Sequence, residues 1–554
     1  MTRPGAGPTG MTTSRRGFLR LGALGAGAVG LGVLGLTGCA PGTRSPAETA
    51  GSGYDYILPT DPEVAAAEAA RAASGRTAAF ALAAGVATVD LGGRLVETWS
   101  YGGNAVAPEL RLGAGDRVQV AVANGLAEDT TLHWHGIRIR NDMDGAAPAT
   151  QAPIAAGGGT FDYDFIAPDP GTHWYHSHSG LQADRGLFGA LIVEDPHDAS
   201  GADVDAVLVL DDWVDGLGTT PDAILMALNP ALAGAHHHGG ASATATPSAA
   251  AGASAAAAAG TGGSASSAGM TDDQMAVAAG LVAQGHGDSD ALGGMTQHIA
   301  YPMHLVNGRP PNDPATVEAA AGSRLRLRVI NAAAETPYRF AIAGHELTVI
   351  AVDGYDTVPQ AADAVILGMA QRMDLLVTVQ SGAWPIVAAV EGRDGHAATV
   401  LRTPDAAPLA GPLPTRLAEH DRRLVLESEL RPAESTVLDT REPDRDYRVE
   451  LIQAGDRYAW GMAGADAGKL VMRQGERIRI TMTNSTAMWH PMHTHGHTFA
   501  VPAYGGLRRD TVVSLPGTEL AIEFDADNPG EWMFHCHNAY HFEAGMTANL
   551  RYIR

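Results

Sequence analysis

Two cysteines in 554 residues cannot supply a disulfide framework, which excludes the small cross-linked secreted folds. Cationic side chains are scarce as well: 37 Lys and Arg face 61 Asp and Glu, a formal charge of −24. A chain of that sign repels a phosphate backbone, so nucleic acid is excluded as a partner. The acidity serves solubility, with attraction of cations a weaker consequence.

The first cysteine belongs to the N-terminus. Cys39 closes Leu36-Thr37-Gly38-Cys39, behind Ser14-Arg15-Arg16-Gly17-Phe18-Leu19 and an apolar run from Leu19 to Leu36. Basic residues, an apolar run and small residues in that order make an export signal. Ser-Arg-Arg-x-Phe-Leu resembles a twin-arginine signal, and Leu-Thr-Gly-Cys resembles a bacterial lipobox. Residues 1–38 are therefore expected to be removed, leaving Cys39 as a lipidated first residue. That anchor would hold the protein to the cell membrane on its outer, periplasmic or extracellular side. A retained membrane helix is the alternative, and Met11 offers a second start. Loss of 1–38 removes four arginines and no acid, which takes the charge from −24 to −28. Residues 39–78 follow as a tether and N-terminal extension.

The rest of the chain contains an internal repeat. Gly115-Asp-Arg-Val-Gln-Val-Ala-Val-Ala-Asn124, Gly322-Ser-Arg-Leu-Arg-Leu-Arg-Val-Ile-Asn331 and Gly475-Glu-Arg-Ile-Arg-Ile-Thr-Met-Thr-Asn484 share a turn glycine, an arginine, alternation and a closing asparagine. Each reads as a strand with every second residue apolar. The glycines stand 207 and then 153 residues apart, and the excess of 54 matches an Ala/Gly/Ser/His tract between Ala231 and Met295. That tract reads as a poorly ordered insertion. Further strand-like runs at Val204–Leu210, Asp374–Val379, Thr518–Phe524 and Asn549–Ile553 support an all-β chain of three Greek-key sandwiches. The domains are placed at 79–197, at 203–405 with the insertion at about 231–300, and at 420–554.

The second cysteine carries the chemistry. His535-Cys536-His537 is followed by His541 and Met546, and a thiolate with two imidazoles and a weak thioether describes a blue-copper site. On a strand, alternation sends Cys536 to one face and its flanking histidines to the other, a short covalent path between two metal sites. The first repeat ends comparably in Gly171-Thr-His-Trp-Tyr-His176-Ser177-His178, with Ser177 where Cys536 stands, Gln182 for His541 and Leu187 for Met546. The middle repeat, at Gly382-Ala-Trp-Pro-Ile-Val387, has no ligand at all. After the repeat strands come His133-Trp134-His135-Gly136 and His490-Pro-Met-His493-Thr-His495-Gly496. His133, His135, His176, His178, His493, His495, His535 and His537 thus supply eight imidazoles, enough for three coppers at a domain interface. His490, Cys536, His541 and Met546 remain for a mononuclear site.

With these motifs in order, residues 80–554 outside the insertion resemble a three-domain multicopper oxidase of the laccase, ascorbate oxidase and metallo-oxidase group. The resemblance implies cupredoxin-like domains and four copper ions. It places type 1 copper on His490, Cys536, His541 and axial Met546, type 2 on His133 and His493, and the type 3 pair on His135, His176, His178, His495, His535 and His537. It implies one-electron oxidation of a donor coupled to four-electron reduction of dioxygen to water, with the electron entering through an exposed edge of His490 or His541 and relayed by Cys536. Asp144 in Asn141-Asp-Met-Asp-Gly145 matches a proton-supplying acid of similar enzymes, with Asp142 second; as plain sequence, Asp-Gly is also a turn pair. Many bacterial relatives carry an acid directly after the last type 1 histidine, where this chain has Phe542, with Glu543 one place later.

An axial methionine favours easily oxidised donors: phenols and aromatic amines as in laccases, or Cu(I) and Fe(II). A laccase-like oxidase, a cuprous oxidase for copper tolerance and, outside enzymes, an envelope copper buffer are the readings carried forward. The insertion's His236-His237-His238, His286, His298, His304, Met270, Met275, Met295 and Met303 suit copper capture or an incidental linker equally. His173, His197, His345, His396, His420 and His497 read as surface residues or as supports behind the ligands.

Overall fold

The computed structural model describes residues 53–230, 270–455 and 458–554; the signal, Cys39 and the triple histidine 236–238 lie outside them. Six large sheets pair into three sandwiches, in the pattern expected of Greek-key domains. The first sandwich is built from strands between Thr77 and Glu194, the second between Val204 and Val425, the third between Arg445 and Tyr552.

Each repeat becomes the same strand in its own sandwich: Arg117–Asn124, Arg324–Asn331 and Arg477–Asn484. Each lies parallel to the first long strand of its domain and antiparallel to a later one. The preceding glycines have φ of 79°, 82° and 89°, a left-handed turn that a side chain resists. The closing asparagine ties down the loop that follows. Asn124 Nδ2 donates to the carbonyls of Glu128 and Ile154, Asn331 to Thr336 and Leu367, and Asn484 to Met488 and Ser514. Their Oδ1 atoms accept from the amides of Leu126, Ala333 and Thr486. In the terminal domains this loop leads into the first histidine pair, so a buried hydrogen-bond anchor fixes where the ligands begin.

Register does the rest. His133–His135 pairs antiparallel with Gly171–His176, placing His133 opposite His176. His490–Thr494 pairs with Glu531–Cys536, placing His493 opposite His535 and Met492 opposite Cys536. Pairs distant in sequence thus become neighbours on two strands in each terminal domain.

In the middle domain the strand Arg324–Asn331 is buried on both faces. Its arginine face meets the first domain rather than solvent. Arg326 and Arg328 pair with Asp374, and Thr172 of the first domain donates to Asp374 at 2.6 Å while accepting from Arg328 at 3.0 Å.

The insertion departs from expectation. From Met270 onward it is ordered, with a helix Asp272–Ala283. Thr271 caps that helix, its side chain accepting from the Gln274 amide while Gln274 returns the bond to Thr271. The helix packs on Pro221–Leu228 through small side chains; Ala278 is its only fully buried residue. His304 is not available for copper capture, since it is buried in the second domain with Nδ1 on the Tyr338 hydroxyl at 2.8 Å. Among the described residues no helix is long and apolar enough to cross a bilayer.

Candidate metal centre

The mononuclear set meets in the third domain. His490 Nδ1 and His541 Nδ1 lie 3.1 Å apart, and 3.6 Å and 3.7 Å from Cys536 Sγ. Three ligand atoms this close suit a trigonal His₂Cys copper site. Met546 is fully buried in the same core, and its carbonyl accepts from the Cys536 amide at 3.1 Å. His490 Nε2 faces Thr486 Oγ1 at 2.8 Å, and that hydroxyl already donates to carbonyl oxygen. Nε2 therefore carries the proton and Nδ1 keeps its lone pair. Burial pushes the Cys536 thiol above its usual range, and holds His490 down to about 3 and His541 well below the ordinary imidazole value. Without a cation the thiolate is disfavoured; with one it is the natural form.

The eight other histidines converge between the first and third domains. The His133 and His495 rings stack at 3.8 Å, as do His135 and His493, and His495 Nε2 lies 3.0 Å from His535 Nε2. His178 approaches His535 at 5.3 Å between rings, and His176 approaches His537 at 5.2 Å. Close groups form from His133, His493 and His495, from His133, His135 and His176, and from His178, His495 and His535. Burial, reinforced by the neighbouring rings, holds His176, His178, His495, His535 and His537 well below the usual value, so they are neutral ligands.

The fit to metal shows in the proton assignment. His133, His176, His493 and His535 each turn Nδ1 to a backbone carbonyl, of Asp144, Ser177, Asp510 and Cys536, at 2.8–2.9 Å. A carbonyl only accepts, so Nδ1 carries the proton and Nε2 is left with its lone pair. Nε2 of His133, His176, His493 and His537, and Nδ1 of His135, are buried with no partner. Unpartnered buried nitrogens facing one another are costly unless a cation fills the space.

Asp144 is fully buried, with Oδ2 2.9 Å from His495 Nδ1 and Oδ1 3.3 Å from His133 Nδ1. It joins a first-domain ring to a third-domain ring. Asp142 instead pairs with Arg140. Asp510 was not singled out by the sequence, lying in Arg508-Arg509-Asp510-Thr511 with nothing to separate it from an ordinary surface charge. Its Oδ1 accepts from His135 Nε2 at 3.2 Å, and the same carboxylate is clamped by Arg372, whose Nη1 donates at 2.7 Å. Arg372 Nε also donates to the Thr172 carbonyl at 3.0 Å, so one guanidinium from the ligand-free domain touches both others. Gly136 follows from this: φ is +85°, and a Cβ there would sit 2.3 Å from Arg372 Nη2.

The mononuclear site is more enclosed than expected. His490 and His541 are both buried completely, so neither presents an edge to solvent. Trp460 lies 4.1 Å from the His541 ring and His298 5.5 Å, with Tyr458 at 5.8 Å. His298 Nδ1 meets Glu335 Oε1 at 3.0 Å; Glu335 Oε2, Tyr458 OH and His541 Nε2 have no partner. His298 came from the insertion, but Glu335, Tyr458 and Trp460 carried no motif. Among the remaining histidines, His173, His345, His420 and His497 are buried, and His497 spans the His495 carbonyl and the Tyr552 hydroxyl. His197 is exposed.

Three family models, each described as multicopper oxidase, match residues 84–198, 279–406 and 439–553. The chain is 37% identical over 547 residues to the multicopper oxidase MmcO of Mycobacterium tuberculosis, covering 98% of this chain and 97% of that protein. It is 27% identical to copper resistance protein A of Escherichia coli over 87% of this chain and 93% of that one. The solved multi-copper oxidase of Pseudomonas thermotolerans superposes with a TM-score of 0.59 at 25% identity, over 86% of this chain and all of that one.

Burial opposes the charge on Asp510, but Arg372 and the hydrogen bonds from Arg372, His135 and His493 outweigh it and hold the carboxyl well below its usual value. In the unfolded chain the carboxyl takes a proton near pH 4. The folded-state advantage is therefore complete above that pH and lost as pH falls through the lower folded value. Asp510→Asn in the copper-free protein should cost about 3–5 kcal/mol at neutral pH, because it strands the Arg372 charge. Denaturant unfolding should show the gap to wild type steady from pH 8 to 5 and shrinking below about pH 4. A gap that widens on acidification would contradict the assignment.

Proposed function

Because the chain belongs to the multicopper oxidases, and is thus a copper-dependent oxidoreductase with four copper ions and dioxygen as acceptor, we propose which residues hold the metals and which donor they serve. His490, Cys536, His541 and Met546 hold type 1 copper. His133 and His493 hold type 2, and His135, His176, His178, His495, His535 and His537 hold the type 3 pair. When bound, these coppers supply single-electron uptake at one site and the four electrons of oxygen reduction at the other. The protein's own contribution is placement. Cys536 joins the two sets through one peptide bond on either side, and its side chain faces away from those of His535 and His537. Asp144 and Asp510 hold the imidazoles in one tautomer across the interface.

Cu(I) is the donor the geometry favours. The observation that carries this is the buried His541, its Nε2 without a partner and its ring covered by His298, Tyr458 and Trp460, with Glu335 reached through His298 Nδ1. Met270, Met275, Met295 and Met462 pack, partly exposed, on the core that contains Cys536 and Met546. Thioether and imidazole are the ligand types that select Cu(I), and the Glu335 carboxylate stabilises the Cu(II) formed. The balance is four Cu(I), one dioxygen and four protons to four Cu(II) and two waters. The relatives named for copper resistance agree with this use.

The twin-arginine-like segment and Leu36-Thr37-Gly38-Cys39 support export and a lipid anchor at Cys39. In cells that process lipoproteins, Cys39→Ala should move the protein from the membrane to the soluble fraction; unchanged fractionation would remove the anchor.

Oxygen uptake by the copper-loaded protein with Cu(I), Fe(II) and a dimethoxyphenol tests the donor. Cu(I) should give the highest kcat/KM, and Glu335→Gln should lower that value about tenfold or more while changing phenol oxidation little. Cys536→Ser should abolish uptake from every donor. A preference for the phenol would establish the laccase-like reading, and no Cys536-dependent uptake would leave a copper buffer.

A further inference from the structure

We propose that Asp184 is the proton donor to oxygen on the type 3 side of the cluster, acting through its free Oδ1 across a small cavity where the three domains meet. The proposal rests on the oxygen-reducing reading of the cluster, not on the identity of the electron donor.

The cavity offers about 40 Å³ to the centres of water-sized molecules. One water needs about 10–15 Å³ on that measure, so a dioxygen or a few waters fit. Its walls include His176, His178, His535 and His537, with the small side chains of residues 332–334 leaving the space open. Phe542 makes the wall apolar where helix Ala539–Glu543 passes. Asp184 is the single acidic residue lining it among the described residues. Asp144 does not line this space, being committed to His133 and His495.

The carboxyl of Asp184 is built as an acid. It is 4% exposed. Oδ2 accepts from Tyr540 OH at 2.6 Å and from Tyr301 OH at 3.0 Å, while Oδ1 is buried without any partner. With both phenols donating to one oxygen, the other is where a proton resides. An ionised, unpartnered oxygen in that setting would carry the full cost of desolvation. Burial and the nearby Asp212 charge push the group well above the usual carboxylate range; the two tyrosine hydroxyls pull the other way without reversing it. Asp184 comes from the first domain, Tyr301 from the second and Tyr540 from the third, so the acid is assembled only when all three dock.

The reaction needs such a group. Each dioxygen takes four electrons from the donor and four protons from solvent, its O–O bond breaks, and four O–H bonds form in two waters. Asp184 passes a proton from Oδ1 to reduced oxygen in the cavity, becomes a carboxylate held by the two phenols, and is re-protonated from solvent before the next transfer. The titratable and charged groups around it are Asp211, Asp212 and Asp215 of the second domain, Arg185 beside it, and Tyr301 and Tyr540. Asp212 and Asp215 are themselves pushed up to about 6 by burial, so the surroundings gain charge as pH rises through that value and hold the Asp184 proton more firmly.

Asp184→Asn keeps the shape and the acceptor for both phenols, and Asp184→Glu keeps the acid. In the copper-free protein at pH 7, the infrared difference between wild type and Asp184→Asn should contain the carbonyl band of a neutral carboxylic acid. A carboxylate band in its place would overturn the proposal. In the copper-loaded protein, oxygen uptake by Asp184→Asn should fall about tenfold or more, with the loss smaller at acid pH where solvent supplies protons. Donor-driven bleaching of the blue centre without oxygen gives the reference that the variant is folded and loaded. Asp184→Glu should recover most of the rate. Uptake within twofold of wild type in Asp184→Asn, or Asp184→Glu no better than Asp184→Asn, would show that the residue serves packing alone.

Discussion

The contact on which the rest depends is the buried pair of Arg372 and Asp510. Both side chains are fully removed from solvent, a costly arrangement unless every donor and acceptor is used. Here the guanidinium reaches the Thr172 carbonyl of the first domain, the Ala370 carbonyl of its own and the carboxylate of the third. The carboxylate in turn carries His135 of the first domain, and its backbone carbonyl carries His493 of the third. A middle domain that supplies no ligand to the four coppers thereby sets the separation of the two domains that do. Asp353 extends the arrangement, accepting from Arg509 at 2.9 Å and from the Arg372 amide at 2.9 Å.

That constraint sets how closely the histidines of the two domains approach. Rings stacked 3.8 Å apart are held by the strands and by Asp144 and Asp510, not by attraction for one another. These supports hold the imidazoles in the orientation a metal needs. The same docking lays His298 of the second domain against the His541 ring, beside Trp460 and Tyr458 of the third, and brings Asp184 to Tyr301 and Tyr540. The cavity beside the cluster histidines is a product of how the three domains meet.

What was readable in the sequence is what repeats locally. The turn glycine, the arginine and the closing asparagine recur because each sandwich needs the same turn and the same loop anchor, and the paired histidines occupy matched registers in the two terminal domains. The partners of those histidines were not readable, because they are joined across the fold: Arg372 to Asp510, His298 to Glu335, Asp184 to Tyr540. No periodicity links such positions. The helix Asp272–Ala283 was hidden for a different reason. Alanine and glycine dominate its segment, and the one clear local sign, Thr271 three residues before Gln274, is easily lost in a low-complexity tract. The enclosure of His541 depends on Trp460 and Tyr458, which arrive from an ordinary strand and loop.

The central claim is that one chain holds two separable copper centres, one within the third domain and one shared between the first and third. Copper content and the blue absorption of three proteins test it most directly: wild type, Cys536→Ser, and His176→Ala/His178→Ala, each purified and loaded identically. Wild type should bind four coppers per chain and be blue. Cys536→Ser should lose the blue band and one copper, while the double histidine variant should lose copper from the shared centre and remain blue. Loss of the blue band in the first-domain variant, or retention of all four coppers by it, would contradict the division of the site described above.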